Sequence, residues 1–196
     1  MDCVILCYKI QEFASMIKWL LRIGVQAFGK KYKYDIGYMM EVINASTGAG
    51  LRLSAVPFVS QYQQPKKAIG VWAGAAFAST LDGDCGPCVQ LIADISIEAG
   101  IPPSELRMCV EGQAASAGDV GLGFRYAQAA ISASPEISEL LLEIEALYGR
   151  KAVISAAFAA ASGRFYPVLK RALGENDSCA RLQLEGSFVT PVAKHG

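Results

Sequence analysis

An all-α fold is what this sequence predicts, and three observations carry it. Apolar residues recur at helical spacing in one segment after another. No run alternates apolar and polar residues long enough to build a sheet. Gly and Pro punctuate the helical runs. Hydrophobic residues make up 53% of the 196-residue chain and charged ones 18%. That apolar excess over an ordinary soluble domain calls for burial in a core or between subunits. Lys plus Arg and Asp plus Glu both number 18, so no net basic field draws in nucleic acid.

Met1 to Tyr8 is short and apolar, and fits a strand, a helix start or a docking arm. Phe13 to Phe28 is an amphipathic helix, with Phe13, Met16, Ile17, Leu20 and Leu21 at helical spacing and Ser15, Lys18, Arg22 and Gln26 on the other face. Lys18 and Arg22 interrupt it as a bilayer span. The same cationic face, followed by Lys30, Lys31 and Lys33, suits a membrane surface. Packing on the domain or a partner subunit is the favoured expectation, and membrane contact the less favoured one.

Tyr34 to Tyr62 carries a second helical pattern through Ile36, Met39, Met40 and Ile43, loosened at Gly48 and Gly50 and interrupted at Pro57. Two short helices and one kinked helix both fit it. Gln61 to Pro65 is a polar loop. Lys66 to Leu81 is a helix of small residues (Gly70, Ala73, Gly74, Ala75, Ala76, Ala78) suited to close backbone packing.

Asp82-Gly83-Asp84-Cys85-Gly86-Pro87-Cys88 comes next, and the helix after it closes at Gly100. Gly100 to Glu105 turns into a short helix ending near Val110, and Gln113 to Ser132 is rich in Ala and Gly. Ser134-Pro135-Glu136 opens a helix that Gly149 ends. A long apolar helix runs from Arg150 toward Leu173, kinked before Pro167. The tail is mixed, ends as an extended arm, and holds His195, the only histidine. Residues 1–33 form an N-terminal arm with its helix, 34–174 the helical domain and 175–196 the tail.

Chemistry concentrates at Cys85 and Cys88. A Cys-x-x-Cys at a helix start lets two sulfurs form and break a small disulfide ring, while the helix-terminal amides favour a thiolate. Asp82 and Asp84 are expected to cap the helix that follows, and Asp94 and Glu98 to form its solvated stripe. The N-terminus lacks a charged n-region and a small-residue cleavage site, so the expected compartment is the cytoplasm, where such a pair is catalytic or metal-binding rather than a structural staple. One Cys-x-x-Cys cannot make a four-ligand zinc site locally, and Cys109 or Cys179 would have to be recruited from afar. Gly118 to Gly123 follows no strand, so helix packing is preferred to a phosphate loop. No metal and no cofactor are expected.

Cys-Gly-Pro-Cys is also the tetrapeptide of thioredoxins, but Asp84 stands where those have an aromatic residue and the chain offers no βαβ unit. The order helix, Cys85-Gly86-Pro87-Cys88, helix to Ala99-Gly100, then Ile101-Pro102-Pro103-Ser104-Glu105-Leu106 resembles the carboxymuconolactone decarboxylase and alkylhydroperoxidase D-like superfamily. Phe124-Arg125-Tyr126-Ala127, Pro135 and the two following helices extend the likeness over about Lys66 to Gly174.

The resemblance implies an all-helical homo-oligomer that reduces hydroperoxides and is re-reduced by a protein or small thiol. Cys88 would be the attacking sulfur and Cys85 the resolving one. The family's histidine, four residues after the second cysteine, is Ile92 in this chain, and Lys66 to Leu81 has no counterpart of its glutamate. General acid–base help is worth about 10²–10⁴-fold. The expected function is therefore thiol–disulfide exchange or slow peroxide reduction. The alternatives are a non-enzymatic oligomeric helical protein with inactive or structural cysteines, and a peripheral membrane protein docked by Phe13–Phe28.

Overall fold

The computed structural model describes residues 2–175 and 182–189, with side chains from residue 11 onward. The fold is all-α, with one two-stranded hairpin near the end. Contacts divide the chain into two compact units, Met1–Pro57 and Phe58–Gly196.

In the first unit, α1 (Asp2–Tyr32) is one unbroken helix, so the described part of the N-terminal segment is its start. Lys33, at a φ of 49°, ends the helix, and Tyr34 N–H donates to the Gly29 carbonyl at 3.0 Å. A Cβ on Gly29 would stand 2.7 Å from Ile36 Cγ2, so a larger residue would push the returning chain away. That chain becomes α2 (Gly37–Ala45), and Lys18 Nζ donates to the Asn44 carbonyl at its far end at 2.7 Å. Tyr34, Tyr38, Met39, Ile43 and Leu53 fill the interior, with Phe28, Tyr34 and Tyr38 meeting edge to face.

Of the two forms open to Tyr34–Tyr62, the chain takes two helices, and the break falls at Ser46 rather than Pro57. Ser46 is extended, with φ −156° and ψ 123°, and its Oγ accepts the Ala49 N–H at 3.3 Å, capping α3 (Thr47–Ser60). Pro57 sits inside α3 with its ring exposed.

The second unit is built on α4 (Ile69–Asp82), buried on every side from Gly70 to Thr80. Against it pack α7 (Gly118–Ser132) and α9 (Arg150–Ser162). At the α4–α7 crossing the two backbones touch. A Cβ on Gly74 would overlap the Val120 carbonyl oxygen, and one on Gly123 would overlap the Val71 carbonyl oxygen. Trp72, Phe77, Val120 and Phe124 fill the spaces alongside. Ser79 Oγ donates to the Ala160 carbonyl at 2.6 Å, pinning α9. Around this centre run α5 (Gly86–Glu98), α6 (Pro103–Val110) and α8 (Ile137–Tyr148).

The expected kink before Pro167 is a full break at Gly163–Arg164, after which α10 (Phe165–Ala172) begins. The run Arg150–Ala172 is long and apolar enough by composition to cross a membrane, but α9 places Ala152, Val153, Ala156, Ala159 and Ala160 in the core.

The described part of the tail holds two strands where the sequence pattern predicts none, and the extended arm expected at its end lies outside the described residues. Leu182–Leu184 (β1) and Ser187–Val189 (β2) pair antiparallel through Glu185 and Gly186, both at positive φ, as a two-residue hairpin turn requires. Leu182, Leu184 and Val189 are buried. His195 and Cys179 lie outside the described residues.

Replacing Gly123 by Ala should cost about 3 kcal/mol, at the upper end of overpacking penalties, because its neighbour is backbone and cannot turn aside. Urea unfolding measures it. Gly24→Ala, at a glycine with open space around its Cβ position, should be neutral or mildly stabilising.

Candidate redox site

The end of α4 delivers the site. Gly83 N–H bonds the Ser79 and Thr80 carbonyls at 3.2 and 3.1 Å, closing the helix. Asp84 turns the chain with a φ of 54°, and Cys85 follows in extended geometry as the N-cap of α5. The Cys85 carbonyl accepts the first intrahelical bond, from Val89 N–H at 2.9 Å. Pro87 occupies the first turn, where its missing N–H costs nothing.

This geometry puts Cys88 in the first turn of α5, facing back toward the capping residue. The Cys85 and Cys88 sulfurs stand at disulfide distance, 2.10 Å, with their Cα atoms 5.3 Å apart. The backbone amides of the first turn point at the pair, and the helix dipole favours negative charge there. Both cysteines are buried within the single chain, at 7% and 4% exposure, so a thiolate at either place relies on those amides more than on water.

Asp82 and Asp84 do not cap α5, contrary to expectation. The N-cap has no side-chain partner. Asp82 pairs instead with Arg164, whose guanidinium outbids a backbone amide, while Asp84 is exposed in its left-handed turn. Asp94 is half-buried and accepts the Gln90 amide at 2.8 Å, so it is more than a solvated stripe. Ile92, one turn beyond Cys88, packs against the core and offers no proton.

Two features were not foreseen. The first is a clamp by α10 on the 82–84 loop. Arg164 holds Asp82, Arg171 Nη2 donates to the Gly83 carbonyl, and the Pro167 ring closes on Gly83, where a Cβ would stand 2.6 Å from Pro167 Cβ. The only signal in the sequence was the spacing of Arg164, Pro167 and Arg171 along one helix face.

The second feature is the hairpin, latched over α5 and α6. Gln183 N–H donates to Gln90 Oε1 at 2.8 Å. Arg107 Nη2 donates to the Leu184 carbonyl and to Ser187 Oγ, each at 2.6 Å, and Arg107 Nε lies 3.4 Å from the Glu185 carboxylate. Gln90 thus links the dithiol helix to the tail.

Cys109 keeps a free, buried thiol on α6. Burial, with the neighbouring Glu105 carboxylate second, pushes it up to about 12. Glu105 is itself raised by burial and then by Asp119. Asp119 also accepts the Tyr148 hydroxyl at 2.6 Å, and that bond leads the causes holding the Tyr148 phenol near 12. Among the described residues no three metal-ligating side chains cluster.

Comparison with protein-family models, curated proteins and solved structures finds no match to this chain.

At pH 8 native Cys109 should resist iodoacetamide and react only after denaturation, as peptide mass spectrometry would show. Between pH 9 and about 12 the unfolded thiol loses its proton while the folded one keeps it. The unfolded state then binds fewer protons, so stability falls as pH rises through that window. Cys109→Ala should flatten the decline.

Proposed function

We propose that this chain is a dithiol–disulfide protein of the alkylhydroperoxidase D-like type, cycling between a Cys85/Cys88 dithiol and a disulfide. The observation that carries it is the pair of sulfurs at bonding distance on the N-terminus of α5. In exchange, one thiolate attacks a substrate disulfide, a mixed disulfide forms, and the second thiol displaces it. The substrate leaves as two thiols and the protein as the disulfide. In peroxide reduction, the Cys88 thiolate attacks the outer peroxide oxygen and the O–O bond breaks. The alkoxide leaves as alcohol after taking a proton, and Cys88 becomes a sulfenic acid. Cys85 then attacks that sulfur, water leaves, and the disulfide forms. An external thiol reductant returns the two electrons.

Exchange is the faster of the two. It needs one thiolate and a good sulfur leaving group, both available at the end of a helix. Peroxide cleavage also needs a proton for the departing oxygen, and Ile92 supplies none. The second candidate, a structural link in a non-enzymatic protein, is favoured by the burial of both sulfurs. Self-association belongs to either function: Phe58, Leu142, Leu147, Phe158, Phe165 and Val168 are exposed in the second unit, and a homo-oligomer would cover them. The expected compartment remains the cytoplasm.

A graded glutathione series read by mass spectrometry decides between the two. A redox-active pair gains or loses two hydrogens on the peptide holding Cys85 and Cys88, and Cys88→Ser abolishes the change. A pair that stays oxidised across the series until the protein is unfolded is structural. In a coupled assay peroxide consumption should be slow, and Ile92→His should raise it about tenfold or more by restoring an acid–base group one turn from Cys88. An unchanged rate, with folding intact, would leave exchange as the sole activity.

A further inference from the structure

Gly83 has an ordinary helical backbone, φ −70° and ψ −9°, so its dihedrals do not call for a glycine. A Cβ there would stand 2.6 Å from Pro167 Cβ and 2.8 Å from Pro167 Cγ, so the missing side chain makes room for α10. Asp84 follows at a φ of 54°, a left-handed turn that an L-residue adopts at a cost and holds where neighbouring structure fixes it. One face of α10 does the fixing. Arg164 pairs with the Asp82 carboxylate, the Pro167 ring lies on Gly83, and Arg171 Nη2 donates to the Gly83 carbonyl. Spacings of three and four residues put all three on that face. Cys85 comes two residues after the clamped carbonyl. No sulfur takes part in the clamp, so it can form whether the pair is dithiol or disulfide.

We infer that Arg164 and Arg171 are positioning residues for the sulfur pair, and that their clamp sets how readily Cys85 and Cys88 close. The inference rests on the dithiol–disulfide reading above and deepens it. Closing the pair forms one S–S bond and passes two electrons and two protons to an exchanging disulfide, which leaves as two thiols. With a loose 82–84 loop, that step would also have to freeze the loop backbone, an entropy loss that opposes the disulfide. A loop already ordered by α10 removes that loss from the closing step and raises the effective concentration of one sulfur at the other. Charge alone would act differently. A cation near a thiolate stabilises the reduced form, so losing an arginine by charge would favour the disulfide, and losing the Asp82 carboxylate would do the reverse. Loss of the clamp disfavours the disulfide in every case.

The test titrates the full chain against mixtures of reduced and oxidised dithiothreitol at neutral pH. Alkylation and mass spectrometry read the disulfide fraction on the peptide holding Cys85 and Cys88. Arg171→Met keeps the aliphatic stem and removes the donor at an exposed position. It should lower the equilibrium constant for the disulfide about tenfold, a rise in potential of about 30 mV for a two-electron couple. Arg164→Gln and Asp82→Asn should each lower it too. The two together should shift it no further than the larger single change, because both remove one ion pair. Arg171→Met should also cost the oxidised protein more stability in urea than the reduced one. If Arg164→Gln fails to fold by circular dichroism, Arg171→Met and Asp82→Asn carry the test. Variant midpoints equal to the wild-type value overturn the inference and leave the redox reading standing, as do arginine variants that favour the disulfide. A wild-type pair that never opens or never closes across the series overturns the redox reading, and this inference with it.

Discussion

The close crossing of α4 and α7 is the constraint on which the second unit depends. With no Cβ at Gly74 or Gly123, the two helix backbones meet directly, and α4 can be enclosed on every side. A helix held that tightly has one axial position, so its C-terminal end delivers Gly83, Asp84 and Cys85 to one place. The start of α5 inherits that position, and the sulfur pair inherits it from α5. The placement of Cys85 and Cys88 is therefore set by packing that lies several turns away, in residues with no reactive atom. Enclosed helices of this kind contribute stability through dispersion and burial.

Around the sulfurs two effects oppose each other. Helix-end amides stabilise a thiolate without any side chain. Burial at 7% and 4% exposure opposes that by withholding water. A base or acid would tip the balance, but Ile92 packs into the core and Asp82 is engaged by Arg164. The α10 clamp adds rigidity: the loop before Cys85 is held at Asp82 by an ion pair and at the Gly83 carbonyl by Arg171. A loop held at both points fixes the backbone on which the two cysteines stand at disulfide distance.

The helical class, the small-residue character of α4, the dithiol at a helix start and the short α6 were all legible, because each rests on local pattern. The failures share a cause. Ser46 parts α2 from α3 by capping the start of α3 with its own side chain, a weaker sequence signal than Pro57, which a helix tolerates where its ring meets solvent. The hairpin has three residues per strand, too few for alternation to stand out, and its stability comes from Arg107 and Gln90, some 77 to 93 residues away. Asp82 was expected to cap because it precedes a helix by a few residues; its partner Arg164 lies far along the chain, and no local pattern announces such a pair. Long-range bonds made by side chains, to backbone or to one another, leave no local pattern in the sequence.

In α1 the helical period was plain, but the side that would face the protein was not. A surface helix in water ordinarily buries its apolar face and exposes its polar one. Here Lys18 bonds α2 while Phe13, Trp19 and Leu20 remain outside. The apolar face of α1 is wider than α2 alone can cover, so part of it packs and part is left over. The leftover part carries exposed Glu12 toward one end and Lys30 and Lys31 toward the other, in a unit with an excess of basic residues. Phe58–Gly196 carries eleven Lys and Arg against fourteen Asp and Glu, so the neutral total is the sum of a basic and an acidic unit. The neutral total hides a basic first unit and an acidic second one.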